Sequence, residues 1–284
     1  MRNMKSQLMR SFRFHGISSG EKNNNPNDKL MKKLKLLSLI FILLTSGSVV
    51  LVAQSSTSRP TQEQMEAWKK SEEERLHNDW ANFARFRDDN IKIGLPAAGE
   101  KRIVFMGNSI TEGWILMDHD FFSGKPYVNR GISGQTTPQM LVRFKPDVIN
   151  LKPAVIVILA GINDIAGNTG PSTLEMIEDN LASMVDLAKA NGISVVLCSV
   201  LPAFDFPWHP GMQPAEKVVQ LNTWIKSYAE KSGSVYLDYF TPMADERHGL
   251  KAELTYDGVH PNLAGYKIME PLVESAIQKA LDIH

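Results

Sequence analysis

The sequence predicts an α/β fold: a three-layer α/β/α sandwich around a five-stranded, mostly parallel sheet. Three observations predict it. From about residue 100 onward, short apolar runs alternate with longer stretches of helical character. Two of the runs, 154–160 and 194–200, are dominated by Val, Ile and Leu, as suits central parallel strands covered on both faces. No internal repeat or second domain interrupts the alternation. The 284 residues suffice for one good-sized domain, and 43% hydrophobic content allows it a full core.

Residues 1–30 are polar, with Asn23-Asn24-Asn25-Pro26-Asn27 near their end, and are expected to be a disordered or non-native leader. Translation is expected to start at Met31, because Met31-Lys32-Lys33-Leu34-Lys35 is a basic n-region. The apolar stretch Leu36 to Val52 follows, then small residues at Ala53-Gln54-Ser55. Residues 31–54 thus have the pattern of a cleaved signal peptide, which implies a secreted or periplasmic protein. The membrane is a partner only if the segment stays uncleaved as an anchor. No Cys follows the apolar run, so lipid anchoring gets no support.

Residues 55–95 are a linker and an N-terminal helix. Ser55 to Pro60 is polar, and 61–90 has Met65, Trp68, Leu76, Trp80 and Phe83 at mostly helical spacing. One amphipathic helix packed on the main domain is expected; a dimer or partner-binding helix is the alternative. The main domain is expected over 96–284. Its strand candidates are 102–106, 127–129, 154–160, 194–200 and 235–239. Thr137-Pro138 opens one helix, with Pro at the first helical position. Ser172 and Glu175 form a capping-box pattern before a helix reaching about 190, where Asn191-Gly192 ends it. Pro214 starts a helix ending near Ser232-Gly233, and Asn262 starts the last, to about Asp282.

Composition removes several function classes. Lys plus Arg and Asp plus Glu both number 31, and no basic run interleaves with aromatics, so nucleic acid is not an expected partner. The single cysteine excludes an intrachain disulfide and a cysteine zinc site. It is Cys198, in the apolar run Val195-Val196-Leu197-Cys198, where an inert core thiol is expected.

The chemistry-bearing residues fall at strand ends, where open α/β sheets bind ligands. Ser109 follows the first strand and opens a helix whose free N–H groups and positive dipole end suit an oxyanion. Ser109-Ile110-Thr111-Glu112 is equally a capping box, S-x-x-E, so a plain helix cap is the rival reading. Asn163, in Ala160-Gly161-Ile162-Asn163-Asp164 after the third strand, is an amide donor or an ordinary Asn-Asp turn. Gly134, in Gly131-Ile132-Ser133-Gly134-Gln135 after the second strand, is a backbone donor or a loop glycine. Asp257 and His260 sit three apart in a turn leading into a helix. There the acid can hold one imidazole nitrogen and leave the other for Ser109.

Four strings carry a resemblance. Gly107-Asn108-Ser109, Gly134, Gly161-Ile162-Asn163-Asp164 and Asp257-Gly258-Val259-His260 resemble the blocks of the SGNH hydrolases, or GDSL esterase/lipase family, over about residues 100–282. The resemblance implies a flavodoxin-like sheet, Ser109 as nucleophile, His260 as general base and Asp257 as its orienting acid. It also implies an oxyanion hole of the Ser109 and Gly134 N–H groups and the Asn163 side chain, with no metal and no cofactor. Asn108 stands where the family name has Asp; it caps the same turn or contacts substrate. Gly16-Ile17-Ser18-Ser19-Gly20 fits the nucleophile elbow of another hydrolase fold, but it lies in the leader with no strand before it.

Phe204-Asp205-Phe206-Pro207-Trp208-His209-Pro210 follows the fourth strand. Trp208 is a candidate to stack on a sugar or line an acyl pocket, and His209 to contact substrate; a loop packed on itself is the rival reading. Arg130 is expected in an ordinary salt bridge or against an acidic substrate group. The expected activity is a secreted serine esterase acting on short acyl esters, above all acetyl groups of glycans. A lysophospholipase or thioesterase, an O-acetyltransferase with the same triad, and an inactive glycan-binding protein are the alternatives.

Overall fold

The computed structural model describes residues 61–283; the expected leader, signal segment and linker lie outside the described residues. The residues from Thr61 on form one compact unit. Its sheet has five strands: β1 (Ile103–Gly107), β2 (Tyr127–Gly131), β3 (Val155–Leu159), β4 (Ser194–Cys198) and β5 (Val235–Leu237). Their spatial order is β2-β1-β3-β4-β5 and every pairing is parallel, the flavodoxin-like order.

Alternate residues of each strand feed two cores, because successive side chains point to opposite faces. Val104, Met106, Ile156 and Ile158 face one core, with Met140, Phe144, Leu181, Val185 and Leu221 from the covering helices. Ile103, Phe105, Val155, Val157 and Leu159 face the other, with Trp114, Tyr266, Met269 and Val273. The first core is covered by helices Thr137–Asp147, Leu174–Ala190 and Ala215–Ser232, the second by Ser109–Met117 and Leu263–Leu281. Burial on both sheet faces is why β1, β3 and β4 read as continuous apolar runs. Cys198 is buried in the second core, as its surroundings in the sequence imply.

The register places the site. Gly107 pairs with Gly131 on one side and with Leu159 on the other. The segments leaving β1, β2 and β3 therefore emerge side by side at the carboxyl edge of the sheet.

The N-terminal segment departs from expectation. It is two helices, Gln62–Asn78 and Ala84–Ile93, not one over 61–90. Asp79 makes the break: its carboxylate accepts the N–H groups of Phe83 (2.8 Å) and Ala84 (2.9 Å), which starts the second helix. The described side chains of Gln62–Asn78 are largely exposed, and the segment packs on the domain through the buried Ala81 and through Ala84–Ile93, which buries Phe86. A second difference is the cap of the Leu174–Ala190 helix. Thr173, not Ser172, accepts from the Met176 N–H, at 3.3 Å.

Candidate active site

The S-x-x-E pattern at Ser109 does not act as a capping box. Asn108 is the N-cap of the Ser109–Met117 helix, its side-chain oxygen accepting from the Ile110 N–H at 3.0 Å. Ser109 is thus the first helical residue, delivered by β1 to the carboxyl edge with its hydroxyl unclaimed by the backbone. Asn108 is 1% exposed, and its side chain builds this turn.

The Ser109 Oγ lies 2.9 Å from His260 Nε2, across 151 residues of chain. His260 Nδ1 lies 2.7 Å from Asp257 Oδ2. The other oxygen, Asp257 Oδ1, accepts the N–H groups of Val259 (3.0 Å) and His260 (2.8 Å). One carboxylate therefore folds the turn and fixes the ring. Burial would raise the Asp257 carboxyl, but the His260 ring and these backbone N–H groups outweigh it and hold it below its ordinary value. Thr255 completes the turn: its Oγ1 donates to the His260 carbonyl (2.6 Å) and accepts the Gly258 N–H (2.9 Å). With Nδ1–H donated to Asp257, Nε2 is left as the acceptor for the serine proton.

The neighbouring strand ends supply donors. Asn163, buried in the short helix Ile162–Ile165, donates one Nδ2 hydrogen to the main-chain carbonyl of Gln135 at 3.0 Å. Gly134 has φ of +76°, and its carbonyl is held by Asn168 Nδ2 at 3.1 Å. Among the described residues no hydrogen bond takes the N–H of Ser109 or of Gly134. The arrangement can move a proton from a hydroxyl to an imidazole, and the N–H groups of Ser109 and Gly134 and one Nδ2 hydrogen of Asn163 remain open at the neighbouring strand ends.

Around the imidazole lie two aromatic rings. Trp208 sits 5.9 Å from the His260 ring, centroid to centroid, and Tyr256 stacks on it at 5.7 Å with an interplanar angle of 8°. Both are open to solvent, 43% and 61% exposed. Trp208 also stacks on Phe206, so the loop both packs on itself and presents a face. His209 is exposed in the same loop. Arg130 is buried and ion-paired to Asp89 at 2.8 Å, the ordinary salt bridge of the two readings. Tyr256 carries no motif of its own, and its only signal in the sequence is its place directly before Asp257. Arg143 and Gln135, which lie beneath the site, carry no motif either. Among the described residues no cluster of three or more His, Cys, Asp or Glu could hold a metal ion. A cavity of about 700 Å3 lined by Phe83, Arg87, Ile91, Leu95 and Pro146 includes none of the site residues.

The chain is similar to known lipases and esterases. A GDSL-like lipase from Bacteroides thetaiotaomicron is 48% identical, covering 71% of this chain and all of its own, with a TM-score of 0.70. Esterase TesA of Pseudomonas aeruginosa is 27% identical over 179 residues, 60% of this chain and 80% of its own. An acetylxylan esterase from Geobacillus stearothermophilus is 28% identical over 150 residues, 50% of this chain and 67% of its own. The model of the GDSL-like lipase/acylhydrolase family matches residues 105–268, from β1 into the last helix, and the chain belongs to that family of carboxylic ester hydrolases.

Proposed function

We propose that the protein is a secreted or periplasmic serine esterase that removes short acyl groups, above all acetyl, from carbohydrate. The observation that carries the catalytic reading is the hydrogen-bonded line Ser109–His260–Asp257 at 2.9 and 2.7 Å. The Ser109 hydroxyl attacks the ester carbonyl while its proton passes to His260 Nε2. The carbonyl oxygen becomes an oxyanion, met by the N–H groups of Ser109 and Gly134 and the remaining Nδ2 hydrogen of Asn163. Collapse breaks the ester bond; the leaving sugar oxygen takes the proton from Nε2, and the acyl group stays on Ser109 Oγ. Water then gives a proton to His260 Nε2 and attacks the acyl carbonyl; the Oγ–acyl bond breaks, Ser109 Oγ takes that proton back from Nε2, and the carboxylic acid leaves. Asp257 stays ionised throughout and stabilises the imidazolium.

The carbohydrate assignment is supported by the exposed rings of Trp208 and Tyr256 beside His260, which suit the apolar faces of a sugar. It is supported too by the likeness to an acetylxylan esterase. Secretion is supported by the n-region and apolar run of residues 31–54.

The test is turnover of p-nitrophenyl esters of increasing chain length, beside acetylated xylooligosaccharides, by wild type and Ser109→Ala. Hydrolysis favouring acetyl, lost in Ser109→Ala, with a serine-reactive phosphonate labelling Ser109, supports the proposal. Absence of both turnover and labelling in wild type overturns it, and preference for long acyl chains overturns the substrate assignment.

A further inference from the structure

We infer that Glu112 is a positioning residue for the oxyanion hole, bracing the Gly134 loop against the helix that carries Ser109; the inference rests on the esterase reading above. The starting point is the S-x-x-E pattern. Were it a capping box, the Glu112 carboxylate would fold back onto the N–H of Ser109 and consume a donor the reaction needs. Asn108 takes the cap instead, and Glu112 is released to reach across to the segment leaving β2.

There Glu112 Oε2 accepts both the N–H (2.8 Å) and the hydroxyl (2.5 Å) of Ser133. Two bonds to one residue fix both its position and its rotation. The next N–H along the chain is that of Gly134. The rest of the loop is held at its ends: Ile132 N–H donates to the Gly107 carbonyl (3.1 Å), and Asn168 holds the Gly134 carbonyl (3.1 Å). Glu112 is thus the tie at the middle of the loop, and it comes from the same helix as Ser109, one turn on. Any movement of that helix carries the hydroxyl, the Ser109 N–H and, through Glu112, the Gly134 N–H together.

An independent observation fixes the span the carboxylate must cover. A Cβ on Gly131 would lie 2.2 Å from the Glu112 backbone nitrogen, and Asn129 of β2 donates to the Thr111 carbonyl at 2.6 Å, so the helix rests directly on β2 beside Glu112. The other oxygen, Glu112 Oε1, accepts from Arg85 at 3.3 Å. Arg85 belongs to the Ala84–Ile93 helix, which precedes the family match, so that helix steadies the brace from outside. Loss of the brace leaves the hydroxyl and imidazole in place but frees a donor to drift, which lowers transition-state stabilisation more than substrate binding.

The experiment compares wild type, Glu112→Ala, Glu112→Gln and Ser133→Ala on p-nitrophenyl acetate, with far-ultraviolet circular dichroism as the folding control. Glu112→Ala is expected to lower kcat by about 10- to 100-fold with KM within about twofold, as for a misplaced group. The rate of Ser109 labelling by a phosphonate, whose P–O oxygen fills the same hole, is expected to fall in parallel. Glu112→Gln keeps an acceptor and is expected to recover most of kcat. A Glu112→Ala enzyme within about twofold of wild type in both rates overturns the inference, as does an equal loss in Ala and Gln. Should Glu112→Ala not fold, Ser133→Ala decides: a kcat loss of about threefold or more at unchanged KM supports the brace, and a smaller one overturns it. A wild type that neither turns over nor is labelled overturns the esterase reading itself; an active wild type with an indifferent Glu112→Ala overturns only this inference.

Discussion

Asn163 and Gln135 are joined by a hydrogen bond of 3.0 Å from the Asn163 amide to the Gln135 main-chain carbonyl. An amide nitrogen carries two hydrogens, so this bond orients the group and leaves the second hydrogen for an oxyanion. Gln135 is itself clamped. Its side-chain oxygen accepts from Arg143 Nε at 2.5 Å, and its amide donates to the Ala81 carbonyl at 2.8 Å. Asn163→Ala is expected to lower kcat by about 10²–10³, as loss of one oxyanion donor does. The variant leaves the buried Gln135 carbonyl without this donor, at a cost of about 1–3 kcal/mol of stability, and is expected to stay folded. Steady-state kinetics with a denaturant titration checks both numbers; an unchanged kcat removes Asn163 from the oxyanion hole.

Arg143 is the base of that arrangement. It is fully buried, donates to the carbonyls of Gly107 (3.3 Å) and Arg130 (2.8 Å), and pairs with Asp147 at 3.0 Å. Burial pulls its guanidinium down to about 10 against the pull of Asp147, so it stays charged at neutral pH. It ties together the carboxyl ends of β1 and β2, the strands that deliver Ser109 and Gly134. Arg143→Met strands a buried carboxylate and is expected to cost about 3–5 kcal/mol, read as a lower urea midpoint. Adding Asp147→Leu removes that stranded charge and is expected to return part of the loss.

The sheet and the Asp257–His260 turn are legible in the sequence because both are local patterns. The strands announce themselves by apolar runs, and Asp257 and His260 lie in one turn, so their spacing in sequence is their spacing in space. What escaped is carried by side chains that cross between elements. Asp79 splits the N-terminal helix by capturing two N–H groups, and nothing in the spacing of Met65, Trp80 and Phe83 signals that. Asn108 and Ser109 are both good caps, and only the backbone exit from β1 decides between them. Arg143 looks like a surface charge of a helix; its burial depends on three segments distant in sequence.

Asp164 makes stability fall with rising pH. Its carboxyl is buried and pushed up to about 6 by desolvation, although Thr137 donates to it from both N–H (2.9 Å) and Oγ1 (2.6 Å). The folded state therefore holds this proton more tightly than the unfolded chain, in which the pKa is about 3.9. Between about pH 4 and pH 6 the unfolded state binds fewer protons at this site, so its contribution to unfolding free energy decreases with pH. Asp164→Asn is expected to gain stability relative to wild type by about 3 kcal/mol from pH 4 to pH 7, measured by urea unfolding at each pH. A constant difference across that range refutes the assignment.

On the proposed carbohydrate reading, Trp208 and Tyr256 serve recognition and not chemistry. Neither donates to the triad, so Trp208→Ala and Tyr256→Ala are expected to leave kcat on p-nitrophenyl acetate near wild type. On acetylated xylooligosaccharides each is expected to raise KM by about 2- to 10-fold, the worth of one aromatic stacking contact. Equal effects on both substrates assign the rings to packing of the catalytic turn.

Gly131 and Gly134 are glycines for different reasons, and alanine separates them. At Gly131 a Cβ meets backbone atoms, Glu112 N at 2.2 Å and Asn108 O at 2.8 Å, which cannot swing aside as a side chain does. Gly131→Ala therefore pushes the helix that carries Ser109 off β2, with an expected loss of about 3 kcal/mol or more together with activity. At Gly134 the nearest atom to a new Cβ is Asn168 Nδ2 at 4.0 Å, so there is room; the obstacle is φ of +76°. Left-handed backbone costs an alanine about 1–2 kcal/mol, which the loop can relieve by rotating the Ser133–Gly134 peptide. That rotation turns away the N–H proposed for the oxyanion. Gly134→Ala is thus expected to fold with a modest loss of stability but a disproportionate loss of kcat, and Gly131→Ala to lose both together. Denaturant titration beside kcat for the two variants distinguishes them; a fully active Gly134→Ala removes its N–H from the oxyanion hole.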